Sequence, residues 1–183
     1  MNKFFNGPRW RRAPCPIAWT IVPIACAAIV ATCAPHPLVL WNPTPSEPMG
    51  LYIRRATPPG VGVIIAFRTP GAAFPYADQR MAYLHRIPIL KTVAAVQGDM
   101  VCTDGGVLTI NGRRRAAVNA RDSRGAELPA WRGCRALAPG EFFVFSDRAP
   151  NSFDSRYYGP IDQHSIVGVF SPLLIDSGAE RDA

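Results

Sequence analysis

Apolar positions along this chain of 183 residues follow two patterns. Between residues 15 and 34 they are continuous: CPIAWTIVPIACAAIVATCA carries no charged side chain. As a helix, a stretch of that length is about long enough to cross a hydrocarbon core. After residue 35 the apolar runs are short, rich in β-branched residues, and punctuated by Gly, Pro, Asn and Asp, which is the pattern of strands and turns. MGLYIRR (49–55) and VGVIIAF (61–67) read as strands joined by the turn ATPPG. ILKTVAAV (89–96) reads as a strand closed by QGD, and EFFVF (141–145) and SIVGVF (165–170) as two more. MVCT and VLTI flank Asp104-Gly105-Gly106, a hairpin signal, and Asn111-Gly112 marks another turn. PYADQRMAYLHR (75–86) predicts a short helix, whereas APHPLVLWNPTPSEP and the polar 113–133 predict irregular chain. The expected fold is mainly β and antiparallel over residues 35–176, with a flexible tail at 177–183.

Charge sets the expected orientation of the apolar span. Lys3, Arg9, Arg11 and Arg12 lie in residues 1–14 with no acidic companion. Cations on one side of a span keep that side cytoplasmic, so residues 35–176 are expected to be exported. A cleaved signal peptide is the competing reading. Its apolar region is usually shorter, and Pro35 disfavours cleavage after Ala34, so a retained anchor over 15–34 is the expectation. With those cations set aside, the net charge of +7 shrinks to sixteen basic against thirteen acidic residues. That near-balance argues against a nucleic-acid partner, and Arg113, Arg114 and Arg115 read as a solvated hairpin tip.

Cysteine and histidine usage adds two expectations. Cys15, Cys26 and Cys33 belong to the apolar span. Cys102 and Cys134 lie in the exported part, where an oxidising compartment favours one disulfide; two separate buried thiols are the alternative. His36, His85 and His164 are scattered, nothing has zinc-ligand spacing, and no metal or other cofactor is expected.

Candidate chemistry begins with a lysine. Arginine occurs eighteen times and lysine only as Lys3 and Lys91. Lys91 sits in an apolar strand and shares a face with Ile89 and Val93. If that face packs, the ammonium loses water, its pKa falls, and it can serve as a general base, which arginine cannot. On an edge strand the same lysine would reach out to solvent instead. A base needs a nucleophile, and Ser46 is held between Pro45 and Pro48 in a stiff loop. Thr44, two residues earlier, can offer a hydroxyl to a developing oxyanion. The loop FSDRAPNSFDSRYYGPI (145–161) gathers Ser152, Asp154 and Arg156, with the last two close enough to pair.

Three stretches in this order resemble the signal peptidase I family of membrane-anchored serine peptidases, and in particular its TraF-type branch from conjugative transfer systems. Thr44-Pro45-Ser46 matches the nucleophile motif, and SEPMGLY fits the S-x-P-x-G-x-Y pattern of the TraF branch. Glu47 departs from the methionine that follows the serine in typical signal peptidases. KTVAAVQGD (91–99) matches K-R-V-x-G-x-P-G-D at lysine, valine and the closing Gly-Asp, and departs at Thr92, Ala95 and Gln97. SDRAPNSFDSR (146–156) matches G-D-N-R-x-x-S-x-D-S-R best in its second half, and Ser146 replaces the glycine. The similarity runs from about residue 38 to 174.

The resemblance implies a signal-peptidase-like catalytic domain behind a single N-terminal transmembrane helix. It implies Ser46 as nucleophile, Lys91 as general base, Thr44 at the oxyanion, Ser152 orienting the amine, and Asp154 with Arg156 as a supporting pair. Its implied partner is a precursor protein at the membrane, most directly a conjugative pilin, matured with or without cyclisation. The implied location is the bacterial inner membrane, with the catalytic domain periplasmic. The alternatives are a general signal peptidase and a non-catalytic tethered component of a conjugation or secretion apparatus.

Overall fold

The computed structural model describes residues 36–176. Eleven strands follow one another: β1 (Val39–Asn42), β2 (Gly50–Arg55), β3 (Ile64–Phe67), β4 (Ile89–Ala95), β5 (Met100–Cys102), β6 (Val107–Ile110), β7 (Arg113–Ala117), β8 (Cys134–Ala136), β9 (Glu141–Val144), β10 (Ile161–Asp162) and β11 (Ile166–Ile175). Among the described residues two short helices, α1 (Tyr76–Arg80) and α2 (Ser155–Tyr158), interrupt them. Seven strands form one sheet in the order β1-β2-β11-β3-β4-β9-β10, and four form a second in the order β7-β6-β5-β8. Every pairing between these strands is antiparallel, as the sequence pattern predicts.

The larger sheet is central to function because of what surrounds β4. Ile89 and Val93 pack with Ile65, Val144 and Tyr158 on one face, while Leu90 packs with Tyr52 and Phe170 on the other. β4 lies between β3 and β9, with Lys91 opposite Ile65 and Val93 opposite Val144. It is therefore an interior strand, and the edge-strand alternative for Lys91 does not apply.

The elements the pattern missed have local reasons. Val39–Asn42 forms β1 inside a proline-rich stretch because Pro37 and Pro43 fall just outside the four paired positions. The strand expected over 61–67 begins only at Ile64, since Gly62 turns the chain with φ +81°. The helix expected over 75–86 breaks at Met81 (φ −145°, ψ 46°) and resumes as a 3-10 turn over Ala82–His85. Residues 113–133 are not irregular throughout. Arg113–Ala117 pairs with β6 and places the three arginines on an exposed edge strand, where charge discourages further pairing. The hairpin tip itself is Asn111-Gly112, both at positive φ.

Cys102 and Cys134 stand directly opposite each other on β5 and β8 and are joined by a disulfide. The expected span over 15–34 and the expected flexible tail lie outside the described residues. Among the described residues no helix is long and apolar enough to cross a membrane.

Candidate active site

Ser46 lies on the loop between β1 and β2, and Asn42, at the end of β1, organises that loop. Its amide donates to the carbonyls of Thr44 (2.9 Å), Glu47 (3.0 Å) and Pro48 (3.1 Å). Its Oδ1 accepts from the Thr44 backbone N–H (3.2 Å) and from the Thr44 hydroxyl (2.9 Å). Pro43, Pro45 and Pro48 have no N–H to contribute, so a side chain supplies the turn's hydrogen bonds instead. Tyr52 on β2 closes the loop by donating its hydroxyl to the Pro48 carbonyl at 2.7 Å.

The chain brings Lys91 to this loop across 45 positions: its Nζ donates to Ser46 Oγ. Both residues are buried, Ser46 at 7% and Lys91 at 4% exposure. Burial pulls the Lys91 pKa down from 10.5 to about 8. The carboxylates of Asp154 and Glu47 oppose that fall, and the Arg156 charge assists it. Near neutral pH such an amine has an accessible unprotonated form, which can accept the serine proton. The Thr44 hydroxyl lies 3.3 Å from Ser46 Oγ, near where charge would develop on an attacked carbonyl.

Asp154 and Arg156 pair deep in the fold. Arg156 Nε lies 2.8 Å from Asp154 Oδ1 and Nη2 lies 3.0 Å from Oδ2, with both side chains almost wholly out of water. Asp154 also caps α2 by accepting from the Arg156 backbone N–H, and it accepts weakly from Ser146 N–H at 3.4 Å. The remaining Arg156 donors reach the carbonyls of Ser152 and Ala117. Its guanidinium lies over the rings of Phe145 and Tyr157. Ser152 behaves differently from the expectation. It is buried beside the same cleft, but among the described residues its hydroxyl has no hydrogen-bond partner, the Lys91 amine included.

Four residues in the site, Asn42 among them, were missed as contributors. The Glu47 carboxylate accepts from Thr92 N–H (2.7 Å) and from the Thr92 hydroxyl. Burial pushes its pKa up, against the bonds from Thr92 and the charges of Lys91 and Arg148. Ser146 donates its hydroxyl to the Ser46 carbonyl. Glu47, Thr92 and Ser146 are all positions where the family pattern is broken, which was their only sequence signal. Asn42 carried no such signal.

Ser46 and Lys91 open into a cleft of about 570 Å³ with mostly apolar walls, including Leu40, Leu84, Ile87 and Phe153. The cleft presents one buried hydroxyl beside one buried amine. Among the described residues no group of three His, Cys, Asp or Glu side chains is placed to hold a metal ion.

A buried serine–lysine pair on an antiparallel β scaffold defines a candidate serine peptidase site, and sequence comparison supplies the family. The family described as signal peptidase, peptidase S26, matches residues 13–174, and the chain belongs to it. The chain is 31% identical over 143 residues to a plasmid transfer protein TraF of Escherichia coli, covering 73% of this chain and 81% of that protein. It is 32% identical over 145 residues to a conjugal transfer protein TraF of Agrobacterium fabrum, covering 73% and 80%. A signal peptidase I V of Bacillus subtilis matches at 28% over 97 residues, covering 48% and 57%. Among solved structures, a signal peptidase I from Enterococcus faecalis aligns over 64% of this chain and all of that one, at 23% identity and a TM-score of 0.38.

Proposed function

We propose that this protein is a membrane-anchored serine endopeptidase that uses Ser46 and Lys91 as a catalytic dyad to mature an exported precursor. The observation that carries the proposal is the buried hydrogen bond from the Lys91 amine to the Ser46 hydroxyl. Neutral Lys91 takes the Ser46 proton as Oγ attacks the scissile carbonyl. The tetrahedral oxyanion is held by the Ser46 backbone N–H and by the Thr44 hydroxyl, which turns from Asn42 Oδ1 to donate to it. As the intermediate collapses, Lys91 gives the proton to the departing amine and an acyl-enzyme ester remains. Water or an amine then attacks the ester, with Lys91 again as base. Asp154 and Arg156 fix the loop behind the dyad, and Ser152 completes the cleft wall.

The substrate reading follows the relatives. The TraF proteins are named for plasmid and conjugal transfer and match more of this chain than the signal peptidase does. The proposed substrate is therefore a pilin precursor of a conjugative system. Residues 15–34 would anchor the enzyme in the inner membrane with residues 1–14 cytoplasmic, placing the cleft on the periplasmic side where the precursor emerges. A general signal peptidase is the second reading, supported by the family description and by the Bacillus match. A non-catalytic tethered role is disfavoured by the paired serine and lysine.

Intact-mass analysis of a pilin precursor co-expressed with this protein tests the proposal. Cleavage that is lost in Ser46→Ala is the expected result, and a product lighter than the linear peptide by one water identifies cyclisation. An uncleaved pilin precursor together with efficient cleavage of ordinary signal peptides would overturn the pilin assignment.

A further inference from the structure

The loop that carries Ser46 is tied to β4 twice. One tie is Lys91 to Ser46; the other joins their immediate neighbours, Thr92 to Glu47. On β4 consecutive side chains point to opposite sides, so Lys91 lines the large apolar cleft and Thr92 a separate cavity of about 180 Å³. The turn between β1 and β2 matches this, presenting Ser46 to the cleft and Glu47 to the smaller cavity. Two parallel rungs thus span the same two segments, with reacting groups on one side and a carboxylate on the other.

We propose that Glu47 is a positioning residue for the reaction: through Thr92 its carboxylate locks the nucleophile loop to β4 and holds Ser46 against Lys91. This rests on the dyad assigned above. Three observations carry it. Glu47 is 4% exposed, and its carboxylate accepts from both donors of the one residue next to Lys91: the Thr92 N–H at 2.7 Å and the Thr92 hydroxyl, which lies 2.9 and 3.0 Å from the two carboxylate oxygens. A buried carboxylate is costly to desolvate, so an apolar residue would serve packing alone at least as well. Glu47 and Thr92 also break the family pattern at two separate motifs, and the fold places the two departures in contact. The methionine and arginine that usually stand at these places cannot make this hydrogen-bond set. A contact that moves the nucleophile loop moves the distance on which proton transfer depends.

Glu47 also acts on Lys91 by charge. Lys91 and Arg148 favour its ionised form, and Tyr52 feels its charge from β2. Arg115 and Asp147 line the same cavity. Around Lys91 the other charges are Asp154 and Arg156.

The test uses the full-length protein and p-nitrophenyl acetate as an acylating probe, with the rate in Ser46→Ala subtracted. Glu47→Met and Thr92→Val are each expected to slow acylation roughly tenfold to a hundredfold. The double variant is expected to be no slower than Glu47→Met, because Thr92→Val removes only part of the contact that Glu47→Met removes entirely. Thr92→Ser, which keeps the hydroxyl and the backbone donor, retains the wild-type rate. In Glu47→Gln the amide oxygen still accepts from Thr92, so acylation is only partly lost, but the negative charge is gone. The Lys91 titration, followed by NMR with isotope-labelled lysine, is then expected to fall below its wild-type position. Wild-type rates in both single variants, losses that multiply in the double, or an unmoved Lys91 titration in Glu47→Gln would overturn the inference. Acylation that persists undiminished in Ser46→Ala would instead overturn the dyad itself.

Discussion

Arg156 grips the carboxylate of Asp154 with two nitrogens, at 2.8 and 3.0 Å, where both side chains are excluded from water. Removing one member leaves the other as an uncompensated buried charge. Asp154→Asn is therefore expected to lower stability by about 3–5 kcal/mol. Urea unfolding monitored by tryptophan fluorescence measures this, and a loss typical of an exposed ion pair, below about 1 kcal/mol, would show that the pair is not buried in solution.

Lys91→Arg keeps the positive charge and removes the ability to act as base. With Ser46→Ala it should reduce precursor cleavage by roughly 10⁴-fold or more, the scale seen when one member of a nucleophile–base unit is lost. Both proteins should keep their fold by circular dichroism. Full activity in Lys91→Arg contradicts a lysine base.

Much of this site was legible in the chain before folding, for identifiable reasons. Lys91 stood out because arginine supplies almost every other cation and because Ile89 and Val93 mark its face as buried. Asp154 and Arg156 are two residues apart, so their pairing needed only local geometry. Glu47–Thr92 and Ser146–Ser46 span 45 and 100 positions, and nothing local predicts such contacts. The same limit explains the fold. β4 advertises itself by β-branched content, whereas Arg113–Ala117, Cys134–Ala136 and Ile161–Asp162 are strands only because a partner lies alongside. The position of Ser152 was legible from the motif, but its surroundings were not: among the described residues its hydroxyl has no hydrogen-bond partner.

Burying Lys91 has a cost that depends on pH. Its folded pKa of about 8 lies below its ordinary 10.5, so between these values the unfolded chain holds a proton that the folded chain has lost. The group's contribution to stability therefore rises with pH through that window, and the full penalty is present below about pH 8. Its size is about 3 kcal/mol. Lys91→Met should be more stable than wild type at pH 7, with the gap narrowing by pH 10. A gap that is the same at both pH values would exclude a depressed lysine pKa.

The disulfide between Cys102 and Cys134 fastens β8 to β5 across a separation of 32 residues. Replacing both cysteines with alanine is expected to lower stability by about 2–4 kcal/mol while leaving the Ser46 site able to react. Non-reducing peptide mapping should recover the two cysteines in one cross-linked fragment. Two free thiols in the folded protein would remove the bridge.

Catalysis by this dyad requires a lysine that can lose its proton near neutral pH, and the sequence makes that directly measurable. With only Lys3 and Lys91 present, isotope-labelled lysine gives two side-chain signals, and Lys91→Arg identifies one by its absence. Titrating that signal while measuring the pH dependence of precursor cleavage tests the central claim. The predicted result is a Lys91 pKa of about 8 that coincides with the pH at which cleavage rises. A Lys91 signal that titrates near its ordinary 10.5, in an enzyme already fully active at pH 7, would contradict it.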